Sequence, residues 1–174
     1  MKTRSFTNPL DLRSIRGISN IRVAVDRVPV LNDAPPPECD TPDRAAHALT
    51  QFIDGSALSW ETESFYVLML STRRRLIGIH IGATGTLDTI LVHPREVFRA
   101  AIIANAAAVI LAHNHPSGDP SPSEGDIRVT RELIRAGQLL KIEVLDHVIV
   151  GNPALRLPGA KAHASLRELG YFYA

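Results

Sequence analysis

Two histidines and one acid form the pattern in this sequence that most clearly suggests chemistry. His113 and His115 are separated by one residue, and Asp126 follows them across a loop rich in Pro, Ser and Gly. In an extended strand, residues two apart project to the same side, so both imidazoles can reach one ion. Two His and one carboxylate suit Zn²⁺ and leave a fourth tetrahedral position open, as in catalytic zinc sites. The pattern therefore predicts a catalytic metal site, with Fe²⁺ or Mn²⁺ as alternatives to zinc.

The same residues also have an ordinary structural interpretation. Ser123 and Asp126 have the spacing of a helix capping box, in which the serine caps the backbone and the acid bonds back to it. A single His-x-His is by itself a weak indication of a metal. Two imidazoles side by side at the end of an apolar run, however, need a compensating partner when they lose water, which favours the metal site.

The residues around this pattern predict the elements that position it. The apolar run 106–112 predicts a short central strand that leads to the histidines, and residues 123–140 predict the helix after the loop. Further strands are predicted at residues 65–71, 76–81, 86–92 and 142–150, and further helices at residues 43–53, 94–105 and, as a short one, 165–170. Strands and helices mixed along one chain predict an α/β fold with a mixed sheet.

The first 40 residues differ from the rest of the chain. Residues 1–40 are rich in Arg, Pro, Asn and Asp, contain one candidate strand at 21–30, and end in a proline-rich linker. Three consecutive prolines favour an extended, semi-rigid connector. We therefore expect an N-terminal arm over residues 1–40 and a folded domain over residues 41–174.

The composition argues against several functional classes. A formal net charge of +1 gives no global attraction to nucleic acid or to an anionic membrane. The longest strongly apolar run falls far short of the ~20 residues that span a bilayer, and the N-terminus lacks the apolar stretch of a secretory signal. Cys39 is the single cysteine, which excludes a disulfide within the chain and a thiolate metal cluster. The simplest expectation is a cytoplasmic protein with no membrane partner.

The wider sequence resembles a known family. The order H-x-H, seven residues, S-x-x-D matches the JAMM motif of MPN-type metalloproteases at every spacing. Residues 93–126, LDHVIVG at 145–151 and SLRELG at 165–170 resemble the RadC group of bacterial proteins. The resemblance covers about residues 20–170 and implies the JAB/MPN fold, a mixed sheet flanked by helices akin to the cytidine-deaminase-like architecture. Longer RadC proteins carry a helix-hairpin-helix-type region for which this chain has no room, so we expect a short form.

The resemblance also implies which residues act with the metal. JAMM enzymes use a Glu upstream of the histidines as base and then acid, and the RadC pattern E-x-F places it at Glu63. Glu61 is the rival, whereas Glu96 and Glu124 lie in predicted helix starts and fit less well. Ser123 would hydrogen-bond the attacking water and the developing oxyanion, a contribution typically of ~10²–10³ in rate.

Asp146 and His147 are adjacent polar residues in the otherwise apolar predicted strand 142–150. Neighbours on a strand point to opposite faces, so at most one of them can face the site. That residue is either a partner that orients a zinc-binding histidine or a structural hydrogen-bond anchor.

Taken with the resemblance, the sequence predicts a zinc-dependent metallohydrolase of the JAMM type that cleaves an amide bond in a peptide or isopeptide substrate. The alternative is an accessory factor for DNA repair or a mobile element, because the RadC group is traditionally labelled a DNA-repair family. Near-zero net charge and 5% aromatic residues argue against a nucleic-acid partner. A weak contact remains open because basic residues cluster in the arm: Lys2, Arg4, Arg13, Arg16, Arg22 and Arg27. The sequence does not indicate an oligomeric state.

Overall fold

The structure, a computed structural model, describes residues 36–85 and 92–172. Its strands are β1 (Ser64–Leu70), β2 (Leu76–Thr84), β3 (Ala108–His115), β4 (Glu143–Gly151) and β5 (His163–Ser165). Its helices are α1 (Pro42–Asp54), α2 (Pro94–Ile103) and α3 (Glu124–Leu140). The strands form one sheet in the order β2-β1-β3-β4-β5. The predicted α/β fold with a mixed sheet is confirmed.

Strand β3 lies at the centre of this sheet and carries both histidines. It runs antiparallel to β1 and parallel to β4. The parallel pair is connected through α3, which provides the long crossover that parallel neighbours require. His113 is level with Phe65 on β1 and with Ile149 on β4. The sheet therefore encloses this histidine on both sides.

Each face of the sheet packs against helices, which explains the unbroken apolar runs in its strands. On β1, Tyr66 and Leu68 pack into the cluster that includes Leu49 of α1. The alternate residues Phe65 and Val67 pack into the cluster on the other face, where α2 and α3 contribute buried side chains. A strand that is covered on both faces cannot show the polar alternation of a half-exposed strand.

One predicted helix, at residues 165–170, is wrong. Ser165 ends β5, where it pairs with Val148 of β4. The chain then forms turns in which Leu169 N donates to Ser165 O at 3.0 Å, and Gly170 adopts a left-handed φ of +88°. A residue committed to a strand ladder cannot begin a helix, and the glycine conformation ends the turn. The sequence also gave no indication of the short strand β5.

Two other predicted elements lie wholly or largely outside the described residues. These are the strand at 21–30 and, except for Val92, the strand at 86–92. The described end of the predicted linker lies along the β1–β2 turn, where Cys39 N donates to Arg74 O at 2.9 Å. The division into an arm and a domain remains a prediction. Within the described ranges, no helix is both long enough and apolar enough to cross a bilayer.

Candidate metal centre

The two histidines at the end of β3 face one another. Their Nε2 atoms are 2.9 Å apart. The His113 side chain is 1% exposed and that of His115 is 15% exposed, so the pair lies between the core and solvent. This is the arrangement expected of residues two apart on one strand.

The second nitrogen of each ring has its own partner. His115 Nδ1 lies 2.7 Å from the backbone oxygen of Asp119, and His113 Nδ1 lies 2.8 Å from His147 Nε2. A carbonyl oxygen only accepts, so His115 Nδ1 must carry the hydrogen. In a neutral ring this leaves a lone pair on His115 Nε2, directed towards His113.

Asp126 belongs to a helix cap and also lies against the histidines. Its Oδ2 accepts from Ser123 N and Ser123 Oγ, both at 2.7 Å, and Asp126 N donates to Ser123 Oγ at 3.2 Å. This is a complete capping box at the start of α3. The other oxygen, Oδ1, lies 3.2 Å from His113 Nε2. The helix cap therefore uses Oδ2, and Oδ1 is the oxygen left to bind a metal ion beside His113. His115 Nε2 lies 4.0 Å from Oδ2.

Ser123 is committed to the helix cap in this structure. Its backbone N–H and its hydroxyl both donate to Asp126 Oδ2. The resemblance implies that Ser123 hydrogen-bonds the attacking water and the developing oxyanion. That role requires the hydroxyl hydrogen to leave Asp126.

Glu63 lies beside the histidines, immediately before β1. Glu63, His113 and His115 each offer a ligand atom, and the three atoms lie within 4.8 Å of one another. The rival Glu61 is exposed and is not part of this cluster. Glu96 is paired with Arg99 on α2 at 2.7 Å, and Glu124 is exposed at the first position of α3. Of the four acids considered from sequence, Glu63 is the one placed at the centre.

Asp146 and His147 point to opposite faces of β4. His147 is fully buried against His113. Asp146 instead accepts from Ser165 Oγ at 2.6 Å, from His147 N at 2.7 Å and from Arg167 N at 3.1 Å. His147 therefore contacts the centre, whereas Asp146 anchors the segment that follows β5.

The buried rings favour the neutral form. Burial, and then the charge of His115, lower the pKa of His113 well below its ordinary value. Burial also lowers the pKa of His147, with a further contribution from His113. Phe65 adds to this apolar environment by stacking on His113 at a ring separation of 6.4 Å. A neutral imidazole is the form that binds a metal ion.

The donor set at this centre fits a divalent cation. Among the described residues, no donor hydrogen-bonds to the buried Asp126 Oδ1. His113 Nε2 lies 3.2 Å from that oxygen and 2.9 Å from His115 Nε2, which is itself 4.0 Å from Asp126 Oδ2. Such a group of acceptors is stable only with a cation or a proton among them. Two nitrogens that share a tetrahedral zinc at ~2.0–2.1 Å lie roughly 3.3 Å apart, close to the 2.9 Å observed. Glu63, His113 and His115 could thus hold an ion, and Asp126 Oδ1, predicted as the third ligand, lies against His113.

The match to a family of known domains covers most of the chain. Residues 39–171 match the family model described as RadC-like JAB domain. The chain belongs to this family. The β3 histidines, the loop and the start of α3 all lie inside the matched segment of the RadC-like JAB domain.

Curated relatives of this RadC-like JAB domain are longer proteins. A UPF0758 protein of Thermosynechococcus vestitus is 49% identical over 106 residues, which are 60% of this chain and 42% of the relative. A UPF0758 protein of Caldanaerobacter subterraneus subsp. tengcongensis is 48% identical over 110 residues, or 63% of this chain and 44% of the relative. A UPF0758 protein of Desulforudis audaxviator is 42% identical over 126 residues, or 71% of this chain and 53% of the relative. The chain thus spans about half the length of these relatives or less.

Two residues of this RadC-like JAB domain that contribute to the centre were missed from the sequence. Asn114, between the histidines, is fully buried; its Oδ1 accepts from Ser64 N at 3.0 Å and its Nδ2 donates to Thr62 O at 3.1 Å. It thereby ties down the backbone on both sides of Glu63. Thr130 of α3 contacts His147. A polar residue inside a buried strand was the available signal for Asn114, whereas Thr130 required the packing of α3 to be known.

Proposed function

We propose that this chain is a zinc-dependent metallohydrolase of the JAMM type that cleaves a peptide or isopeptide amide bond. The observation that carries the proposal is that His113 Nε2 lies 2.9 Å from His115 Nε2 and 3.2 Å from Asp126 Oδ1, in a cluster with the Glu63 carboxylate. When bound there, zinc would supply a Lewis acid that acidifies water and polarises an amide carbonyl. The partial solvent exposure of His115 supports access of substrate from that side.

The proposed work of the side chains is proton transfer and orientation. Glu63 takes a proton from the attacking water and delivers it to the nitrogen of the breaking C–N bond, so that one carboxylate serves both steps. Asn114 supports this role because it fixes the backbone on either side of Glu63. Ser123 donates its hydroxyl to the developing oxyanion once that hydrogen has left Asp126 Oδ2.

The loop that orients His115 also lines a cavity, which supports a peptide as the substrate class. The loop at 117–122 and the exposed side chains of Leu155, Leu157 and Leu169 line a cavity of about 540 Å³. The proposed metal ligands and Glu63 do not line it, and its link to the centre is Asp119, whose backbone oxygen holds His115. A cavity of this size accommodates amino-acid side chains of a bound peptide.

The test combines metal content with hydrolysis of a panel of peptide and isopeptide substrates. The purified full chain is expected to bind about one zinc per molecule, and His113→Ala to lose it. Glu63→Gln is expected to retain zinc but lose activity by ~10²–10⁴, the range for removal of a general acid–base group. Glu61→Gln, a change of the same kind at an exposed position, should keep both properties.

Three outcomes would contradict parts of the proposal. Retention of zinc by His113→Ala would show that the ion binds elsewhere. Loss of zinc in Glu63→Gln would make Glu63 a ligand rather than the base. Hydrolysis that survives Glu63→Gln but disappears in Glu61→Gln would transfer the role of base to Glu61.

A further inference from the structure

A buried row of hydrogen bonds runs from α3 through β4 to His113. Thr130 Oγ1 lies 2.5 Å from the backbone oxygen of Asp126 and 2.5 Å from His147 Nδ1. His147 Nε2 in turn lies 2.8 Å from His113 Nδ1. Thr130, His147 and His113 are all 0% exposed. These contacts are therefore shielded from water and must be satisfied by one another.

The backbone carbonyl of Asp126 can only accept a hydrogen bond, and this fixes the position of every hydrogen in the row. The backbone oxygen of Asp126 can only accept, so the single hydroxyl hydrogen of Thr130 points at it. Thr130 Oγ1 must then accept from His147 Nδ1, which leaves a lone pair on His147 Nε2. That lone pair accepts from His113 Nδ1–H. A neutral His113 consequently has no hydrogen on Nε2, the atom that faces His115 and Asp126.

From this order we infer that Thr130 and His147 are positioning residues that set the tautomer of His113 and hold its Nε2 lone pair ready for a metal ion. The inference deepens the proposed function and rests on it for the identity of the ion. The assignment of the hydrogens depends only on the contacts themselves. His115 has the same tautomer for a separate reason, because its Nδ1–H donates to the backbone oxygen of Asp119.

Removal of the Thr130 hydroxyl should reverse the direction of the hydrogen bond between His147 and His113. In Thr130→Val, His147 Nδ1–H has no acceptor, and a buried donor without a partner is unfavourable. The hydrogen then moves to His147 Nε2 and is donated to His113 Nδ1. His113 must carry its own hydrogen on Nε2, where it points at the space proposed for the ion. Zinc would have to displace that hydrogen before binding.

The position of the hydrogens can be read directly from the ¹⁵N spectra of the imidazoles. Full-length, metal-free protein labelled at histidine is expected to show His147 protonated at Nδ1 in the wild type and at Nε2 in Thr130→Val. Zinc affinity, measured by competition with a chelator, should fall by ~10–100-fold in Thr130→Val, as is typical when a partner of a metal-binding histidine is lost.

Two variants separate this role from a general effect on packing. Thr130→Ser keeps the hydroxyl and should restore both the wild-type tautomer and the zinc affinity. Thr50→Val is the matched control, because Thr50 Oγ1 makes the same bond to a carbonyl four residues earlier, to Ala46 O at 2.9 Å in α1. It removes the corresponding helix hydrogen bond and should leave the His147 spectrum and zinc affinity unchanged.

The inference is overturned if His147 has the same tautomer in the wild type and in Thr130→Val. It is equally overturned if Thr130→Ser binds zinc as weakly as Thr130→Val, because the hydroxyl would then have no role. A wild type that binds no zinc would reject the proposed function, while the metal-free spectra would still decide the tautomer.

Discussion

The two oxygens of Asp126 have different partners. Oδ2 completes the capping box with Ser123, and Oδ1 faces His113 at 3.2 Å without a hydrogen bond from any described donor. A helix N-terminus interacts favourably with a negative charge, so a carboxylate suits this position. Because the cap fixes the side-chain torsions of Asp126, it also aims Oδ1 at the histidines.

Substitution of Asp126 should separate these two uses. Asp126→Asn keeps an oxygen that can accept from Ser123, but it places an amide nitrogen beside His113. We expect the free energy of unfolding to change by no more than about 1 kcal/mol and zinc affinity to fall more than ~100-fold, because the amide presents hydrogens to the ion. Chemical denaturation of the metal-free protein and a zinc competition titration measure the two effects.

Ser123→Ala is the counterpart of this variant. It removes the capping hydroxyl, which should cost about 1 kcal/mol of stability, and it leaves all three proposed ligands in place. Ser123 N still donates to Asp126 Oδ2 and holds the carboxylate in place, so zinc affinity should fall far less than in Asp126→Asn. If Ser123→Ala lost as much zinc affinity as Asp126→Asn, the idea that the two oxygens act separately would be wrong.

At the scale of elements, the loop between β3 and α3 is held against the end of β4. Gly151, the last residue of β4, is level with His115. A Cβ on Gly151 would lie 2.1 Å from the backbone oxygen of Gly118, which itself has a left-handed φ of +86°. The two backbones approach so closely that only glycine fits at Gly151. This contact sets the position of the loop whose Asp119 oxygen orients His115.

Gly151→Ala is therefore expected to displace this loop. The clash should cost about 1–3 kcal/mol of stability and weaken zinc binding by roughly tenfold or more, since His115 loses the carbonyl that orients it. Gly78→Ala in β2 is the control, because its Cβ would meet Met69 Cε at an ordinary 3.4 Å. Thermal unfolding and chelator competition would report both effects. Equal behaviour of the two variants would contradict a special role for Gly151.

The end of the sheet is tied together by a buried acid. Asp146 of β4 accepts three hydrogen bonds, from Ser165 of β5, from Arg167 in the turn that follows and from the backbone of His147. Burial raises the pKa of Asp146, although these hydrogen bonds and the charge of Arg167 oppose the shift. The protonated form is therefore favoured in the folded protein relative to the unfolded chain.

The stability of Asp146→Asn at different pH values should test whether the pKa of Asp146 is raised in the folded protein. Since the folded pKa is raised, the ionised acid lowers stability at neutral pH, and that cost disappears as pH falls through the folded pKa. The variant keeps an acceptor for the His147 and Arg167 amides without the charge. We expect it to be at least as stable as wild type at pH 7, with the difference shrinking as pH falls towards ~4. Urea denaturation at several pH values measures this, and a clearly less stable variant at pH 7 would contradict it.

For the whole molecule, the architecture explains why the centre lies where it does. The histidines emerge from the C-terminal end of the central strand β3, and Asp126 comes from the first turn of the crossover helix α3. The loops that follow the strands of such sheets are free to carry chemistry, because apolar packing fixes the strands and the helix beneath them. The sheet keeps water from His113, while His115 remains partly exposed.

The alternative role in nucleic-acid binding was predicted from residues outside this core. The basic cluster named in the N-terminal arm lies outside the described residues. The curated relatives also extend well beyond the aligned segments. A formal net charge of +1 gives the chain no overall attraction to DNA. The described domain therefore provides no specific observation in favour of that role.

The sequence by itself predicted the order of the main elements, and its motif named His113, His115 and Asp126, which lie near one another in the structure. Buried strands and amphipathic helices leave local patterns of apolar residues along the chain. From these patterns the bounds of β1, β3, β4 and α3 were predicted to within about three residues. The spacing of His113 and His115 placed both rings on one side of β3 because a strand repeats every two residues. The helix predicted at residues 165–170 was wrong because Ser165 pairs with Val148 of β4 instead, a contact that the local pattern does not show.

Only the tertiary structure decided how the side chains are oriented. Thr130 lies 17 residues from His147, and Asn114 lies 50 residues from Ser64, so these hydrogen bonds exist only once helix and sheet have packed. The same holds for Ser123, whose hydroxyl serves the cap in this structure. The resemblance already favoured Glu63 over Glu61, but the position of Glu63 beside the histidines depends on how the chain enters β1. Hydrogen-bond direction and burial arise from contacts between distant segments, and a linear pattern of residues does not encode them.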